Sequence, residues 1–264
     1  MREQVEVAVE AALEAGGMLR ENFGQALTIE RKMDSSLVTN LDKEAERIVL
    51  AKLKGAYPFY SILAEESGAS GNNEYTWVID PLDGTHNYIR GYSMYGVSIG
   101  LVHKGDFVAG VIYLPESDEL YSAQKGQGAF KNGNRIFVSK TEDLSQSSLL
   151  YDSGLHTAAG LKLSILKEIS THFFNVRMFG ASTRNLTYLA EGKADLLVEF
   201  DEKPWDFAAG AIILTEAGGE LTTHNGDKVT IESRSYVAGN GILNLKVRSL
   251  VNDTALKLGW KESL

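Results

Sequence analysis

The chain contains no cysteine in 264 residues, so disulfides, thiolate metal sites and cysteine nucleophiles are excluded. The same absence fits a reducing compartment. No apolar run approaches the length that crosses a bilayer. The N-terminal stretch MREQVEVAVEAALEAGGMLRENFG carries too many charges for a signal peptide. A soluble, cytoplasmic protein with no membrane partner is expected. Basic residues are few: 26 Lys and Arg face 35 Asp and Glu, a net charge of −9. That balance argues against a nucleic-acid backbone as a partner. The histidines, His86, His103, His156, His172 and His224, are scattered without zinc spacing. No motif supports Ser-His-Asp catalysis. No linker, repeat or low-complexity tract interrupts the chain. Residues 1–264 therefore read as one domain, with sublobes of about 1–150 and 151–264.

What is present is a normal hydrophobic content, 44%, enough to bury a real core. Val5, Ala8, Val9, Ala12, Leu13 and Leu19 recur at helical spacing, which predicts an amphipathic helix over 3–24. Residues 27–38 predict a hairpin or flap that turns at Asp34-Ser35-Ser36. Thr39 or Asn40 caps a second helix to about residue 55. Strands follow at 61–64, 77–79, 95–103, 107–114 and 120–123, with GASGNNE as a polar loop and Tyr92, Tyr95, Phe107 and Tyr113 as core aromatics. Short connections predict antiparallel neighbours. Beyond residue 150, helices at 157–171, 182–191, 205–217 and 243–257 alternate with strands at 175–178 and 194–199. This predicts an α/β layer.

The most informative run is Trp77-Val-Ile-Asp80-Pro-Leu-Asp83-Gly-Thr85-His-Asn-Tyr-Ile89. A short strand ends in two aspartates, whose like charges repel unless a hard cation lies between them. Gly84 lets backbone approach a ligand, and N–H groups in the following turn suit an anion. Pro81 stiffens the turn and leaves the Leu82 carbonyl free as a further oxygen ligand. Thr85 offers a hydroxyl that can orient water, with Asp42 as its candidate partner. A second strand, at 61–63, leads into Ala64-Glu65-Glu66-Ser67. If the two strands are neighbours, three carboxylates converge. A third motif, Lys203-Pro-Trp-Asp206-Phe-Ala-Ala-Gly210, opens a helix with Asp206 in its first turn and three small residues for close packing. Carboxylates, a cation and a phosphate in one place suggest metal-assisted phosphate chemistry.

These three motifs, followed by Glu216-Ala-Gly-Gly219, resemble the inositol monophosphatase family of magnesium-dependent, lithium-sensitive phosphatases in order and spacing across nearly the whole chain. The resemblance implies a layered αβαβα sugar-phosphatase fold, α+β in its N-terminal antiparallel sheet and mixed α/β beyond. It implies hydrolysis of a small phosphomonoester and a homodimer. By matching position, Glu65, Asp80 and the Leu82 carbonyl would hold a first Mg²⁺. Asp80, Asp83 and Asp206 would hold a second, and Glu65 would support a third, weaker ion. Thr85, helped by Asp42, would activate the attacking water, and Gly84 and Thr85 would bind phosphate. Glu66 would position a loop, and Lys32 would stand on the hairpin near the weakest metal.

Substrate contacts are less defined. The resemblance places Gly180, Ala181, Ser182 and Glu199 beside substrate hydroxyls, while Glu199 alone reads equally as an exposed strand-end acid. Arg184 stands where many inositol-type members are apolar. It either pairs with a local acid or reads a second anionic group. Inositol 1-phosphate leads, and fructose 1,6-bisphosphate, 3′-phosphoadenosine 5′-phosphate and histidinol phosphate remain open. A metal-stabilised binding protein without activity is the alternative of a different class.

Overall fold

The computed structural model describes residues 2–32 and 36–259, so Asp34 and Ser35 of the expected turn lie outside the described residues. Helix α1 (Arg2–Glu21) buries Ala8, Ala11, Ala12, Ala15 and Leu19 on one face, which is the predicted stripe in part: Val5 and Val9 are half-buried at its margin, and Leu13, expected on it, is exposed. Strands β1 (Ile29–Arg31) and β2 (Leu37–Thr39) pair antiparallel as the expected hairpin. Helix α2 (Asn40–Ala56) follows at once. Thr39 Oγ1 accepts from Leu41 N at 3.1 Å, and Asp42 Oδ2 accepts from Thr39 N at 2.8 Å. This reciprocal cap satisfies donors that a helix start leaves free.

The next segment builds β3 (Ser61–Ala64), β4 (Gly68–Ser70), β5 (Tyr75–Asp83), the short helix α3 (Thr85–Arg90), β6 (Gly96–His103), β7 (Asp106–Leu114), β8 (Glu119–Gln124), β9 (Gly128–Lys131) and β10 (Asn134–Arg135). They form an eight-stranded sheet in the order β10-β9-β8-β7-β6-β5-β3-β4. Its pairs are antiparallel except β3 with β5. Two expectations are corrected. Gly68-Ala69-Ser70, expected as loop, is the edge strand β4, and three small residues at an edge carry no period to read. Tyr92, expected in the core, is 58% exposed. It follows the left-handed C-cap at Gly91 rather than lying in a strand.

The remainder supplies β11 (Ser148–Tyr151), α4 (Ala159–Ser170), β12 (Asn175–Arg177), α5 (Ser182–Ala190), β13 (Leu196–Glu199), α6 (Pro204–Glu216), β14 (Gly219–Thr222), β15 (Tyr236–Asn240) and α7 (Gly241–Lys257). The helices lie close to their expected places. The five-stranded sheet runs β12-β11-β13-β15-β14, parallel at β12-β11-β13 and antiparallel beyond.

Five layers result. Helices α1 and α2 cover one face of the large sheet through Leu19, Val49, Trp77 and Ile99. Helices α5 and α6 fill the space between the sheets, where Leu186, Phe207, Ile213 and Tyr236 meet. Helices α4 and α7 back the small sheet through Ile165, Val198 and Val247. The expected αβαβα layering is the observed one. Helix α6 is buried on nearly every side, as a central layer requires. Among the described residues, no helix is long and apolar enough to cross a membrane.

Candidate active site

The acidic residues gather because β3 and β5 are parallel neighbours. Ala64 lies beside Ile79 in register, and Glu65 N donates to the Ile79 carbonyl at 3.1 Å. Strand β3 thus ends against β5 one residue before Asp80, and Glu65 comes near enough to Asp80 for the two carboxylates to repel. Between Asp80 and Asp83 the ladder to β6 is interrupted by a bulge. Pro81 lies in that bulge, where its missing N–H leaves no ladder bond unmade. Leu82 N turns back onto Asp80 Oδ1 at 3.0 Å.

Asp83 faces the start of α5. It accepts from Ser182 N at 3.2 Å, from Thr183 N at 2.8 Å and from the Thr183 hydroxyl. Asp206 lies in the first turn of α6, and its Oδ2 accepts from Lys203 N at 2.6 Å. Ser98, the register partner of Asp80, donates to the Trp205 carbonyl at 3.2 Å and ties α6 to the strand end. Thr85 Oγ1 lies 2.9 Å from Asp42 Oδ1 and 3.0 Å from the Leu82 carbonyl. The cap on α2 fixes Asp42 from behind, so one side chain serves helix and site. Gly84 has φ +79, and a Cβ there would lie 2.7 Å from the Met94 carbonyl, so only glycine fits this turn into α3.

Electrostatics follow from burial. Glu65 is pushed up to about 7, chiefly by burial, with Lys32 opposing. Asp80 is held well above the carboxylate range by burial and by its neighbours Glu65, Asp83 and Asp206. Burial also raises Asp83, against the donors of Thr183 and Ser182. Asp206 is raised by burial and by Asp83 and Glu65, although the Lys203 N–H opposes the shift. Asp42 is raised by burial, against the donors of Thr39 and Thr85. Lys32 Nζ bonds Glu65 Oε1 at 2.8 Å and Glu66 Oε1 at 2.7 Å. Burial alone would lower this ammonium, and the two carboxylates raise it instead.

Among the described residues, no three acidic or histidine side chains are gathered as they stand into a cage for a metal ion. Each carboxylate has its own protein donor: Lys32 bonds Glu65, the α5 amides bond Asp83, and the Lys203 amide bonds Asp206. The donor set nevertheless fits a hard cation. Glu65, Asp80, Asp83, Asp206 and the Leu82 carbonyl all offer oxygen, and mutually repelling carboxylates are stabilised by a divalent ion.

Two cavities open onto this cluster. One, of about 290 Å³, is lined by Asp83, Gly180, Ala181, Ser182, Glu199 and Asp206 among others. The other, of about 800 Å³, is lined by Glu65, Gly84, Thr85, His86 and Gly180. Gly154, His156 and Gly180 border both. Glu199 is therefore not an exposed strand-end acid: it is 3% exposed and faces the smaller cavity. Arg184 is not brought to the cluster. Its Nη1 bonds Glu119 Oε2 at 2.6 Å and its guanidinium lies 4.9 Å from the Tyr188 ring centroid, so of its two readings the local acid is the one observed. Sequence reasoning missed Asn87, whose Nδ2 donates to the Phe179 carbonyl at 2.8 Å and pins the Gly180 turn. It also missed Asp152, Lys162, Asn185, Asp201 and Glu202 on the cavity wall. Only the charge of Lys203 and its neighbours near Asp206 hinted at Glu202.

Residues 1–255 match the model of the inositol monophosphatase family. The chain belongs to that family. It is 40% identical over 227 residues to the fructose-1,6-bisphosphatase/inositol-1-monophosphatase of Aquifex aeolicus, covering 84% of this chain and 86% of the relative. It is 38% identical over 241 residues to a putative Nus factor SuhB of Neisseria meningitidis serogroup B, covering 88% and 92%. The solved inositol monophosphatase of Anabaena superposes with a TM-score of 0.88 at 35% identity, covering 98% of this chain and 99% of that one. Membership of the inositol monophosphatase family makes phosphate-ester hydrolysis the broad class of activity.

Proposed function

We propose that the protein hydrolyses a small phosphomonoester, with inositol 1-phosphate as the first substrate and Mg²⁺ as the cofactor. One observation carries the reading: the Thr85 hydroxyl lies 2.9 Å from Asp42 Oδ1 on the cavity that Glu65 lines, and Asp80 is held among the like charges of Glu65, Asp83 and Asp206. Glu65, Asp80, Asp83, Asp206 and the Leu82 carbonyl would hold two or three ions. Bound there, Mg²⁺ would acidify an attacking water and neutralise the leaving oxygen.

The chain's own groups do the rest. With its proton donated to Asp42, Thr85 Oγ1 presents lone pairs. A water held there donates to Thr85 and keeps its own oxygen free for attack. Asp42 is fixed by the Thr39 N–H, so the hydroxyl direction is set before substrate arrives. The α3 start at Gly84 and Thr85 offers backbone N–H groups to the phosphate. Gly180, Ala181, Ser182 and Glu199 face the alcohol part of the ester. Lys32 and Glu66 position Glu65 from the hairpin side.

The test is phosphate release at fixed Mg²⁺ from inositol 1-phosphate, fructose 1,6-bisphosphate, 3′-phosphoadenosine 5′-phosphate, histidinol phosphate and NADP. One preferred substrate, lost on chelation, supports the reading. Release from none refutes it and favours a metal-stabilised binding role. A cytoplasmic homodimer of single-domain chains is part of the same proposal, and sedimentation of the purified protein checks the dimer.

A further inference from the structure

The two oxygens of Asp83 are engaged unequally. Oδ1 accepts from Ser182 N at 3.2 Å, whereas Oδ2 accepts from Thr183 N at 2.8 Å and also from the Thr183 hydroxyl. A carboxylate oxygen offers about two lone-pair sites, so Thr183 by itself fills Oδ2. The Gly84 N–H adds a weaker attraction to the same carboxylate. By comparison, Asp206 Oδ2 takes the Lys203 N–H at 2.6 Å and no side-chain hydroxyl. Asp83 lines the smaller cavity, and Oδ1 is its less engaged oxygen.

Packing fixes that hydroxyl. Thr183 is fully buried. Gly96 is the register partner of Asp83 in β6, and a Cβ there would lie 3.1 Å from Thr183 Oγ1 and 2.6 Å from Leu114 Cδ2. The bare glycine backbone therefore makes room for the hydroxyl against the strand. Helix α5 is tied elsewhere as well. Arg184 Nη1 bonds Glu119 Oε2 at 2.6 Å, Asn185 Nδ2 bonds Glu199 Oε1 at 2.7 Å, and Leu186 packs on the bare backbone of Gly210 in α6. The helix cannot follow Asp83 if that side chain turns, so turning Oδ2 toward an ion breaks both Thr183 bonds.

We propose that Thr183 is a positioning residue for the metal site: its hydroxyl reserves Oδ2, leaves Asp83 one oxygen for an ion, and so favours a small octahedral cation over a larger one. The inference rests on the metal-dependent reading above. Mg²⁺ demands near-octahedral geometry, keeps several waters and is served by a single oxygen from a carboxylate. Ca²⁺ gathers roughly six to eight oxygens and readily takes both from one carboxylate. Offering both oxygens of Asp83 would forfeit the hydroxyl bond, and hydrogen bonds to an ionised acceptor are the strong ones. That loss falls on the larger ion and spares the smaller.

The rise of Tm with added metal tests this without turnover. Mg²⁺ and Ca²⁺ are titrated separately into the full chain, and the ratio of their apparent affinities is read for the wild type, Thr183→Val and Thr183→Ser. Valine keeps the branched shape and removes the hydroxyl, so the preference for Mg²⁺ over Ca²⁺ should fall by about tenfold, the order of one hydrogen bond to a charged group. Serine should keep it. A merely structural role would lower Tm in chelator and leave the ratio as it was, and that result overturns the inference. So does a wild type with no preference for Mg²⁺. If Thr183→Val does not fold, Thr183→Ala removes the same hydroxyl with less bulk and is read in the same way. Phosphate release is followed on the same samples. Turnover with an unchanged ratio sinks the role of Thr183 alone, and a shifted ratio without any release sinks the phosphatase reading alone. If neither ion raises Tm, both fall.

Discussion

Gly110→Ala probes how tightly the central helix holds the site. Gly110 lies in β7 under α6, and a Cβ there would lie 2.5 Å from the Ala209 carbonyl oxygen, 2.6 Å from Ile212 Cγ2 and 2.9 Å from Ala209 Cα. Two of the three obstacles are backbone, so the helix must move as a body. Overpacking of this kind costs about 1–3 kcal/mol. The alanine recovers about 0.5–1 kcal/mol of the entropy that glycine loses on folding. With backbone as the obstacle, the net loss should be about 1–2 kcal/mol, and at about 2–4 °C per kcal/mol for a chain near this size, Tm should fall by about 2–8 °C. Asp206 lies one turn before Ala209 on the same helix. A shift of a few tenths of an ångström there should raise the Mg²⁺ concentration for half-maximal turnover by about threefold or more, because site geometry tolerates little displacement. Gly55→Ala is the control: it lies in α2 with nothing within 4 Å of an added Cβ. Its Tm should hold or rise, with no change in the Mg²⁺ midpoint. Scanning calorimetry and a Mg²⁺ titration read both effects. A Gly110→Ala protein as stable as Gly55→Ala would refute the packing argument.

Asp83→Asn should abolish turnover by removing a charged ligand at nearly constant size, and near-normal turnover at saturating Mg²⁺ would sink that assignment. The same change should lower Tm in chelator, because Asp83 also takes the Ser182 and Thr183 amides. Thr39→Ala should cost about 0.5–2 kcal/mol as a lost cap and lower kcat more than it raises KM, since Asp42 keeps the Thr39 N–H but loses the Thr39 hydroxyl that donates to its Oδ2 at 2.6 Å. Thr39→Ser, which keeps the oxygen, should restore both. Burial alone would raise Glu119, but Lys131, Arg184 and Ser117 outweigh it and hold the carboxyl down to about 2. The folded value lies below the unfolded one of about 4.3, so this stabilisation is full above about pH 5 and fades as pH falls toward 2. The Tm gap between wild type and Glu119→Gln should close over that window, and a gap constant in pH would contradict it.

The sequence by itself determined much of the local structure and the identity of the acidic cluster. Apolar spacing of 3.6 placed α1 within a few residues, because one face of it must be buried whatever it packs on, and α5 and α6 were legible from the glycines at 192 and 218 beyond their ends and from Pro204 at the start of α6. The Asp80–Thr85 run and Glu65 were legible as strand-end chemistry, and the cap at Thr39 was readable from its own neighbours. Short edge strands such as β4 left no signal, since three residues cannot show a period. What only the tertiary structure decided is which distant groups meet. Arg184 reaches back 65 positions to Glu119, Asn87 crosses 92 positions to the Phe179 carbonyl, and Lys162 is consumed by Asp152 and Asp201. The cavity wall of Asn185, Glu199 and Glu202 exists because α5 and α6 lie side by side between two sheets. Periodicity is a property of neighbours along the chain, whereas a charge's partner is set by how whole layers stack.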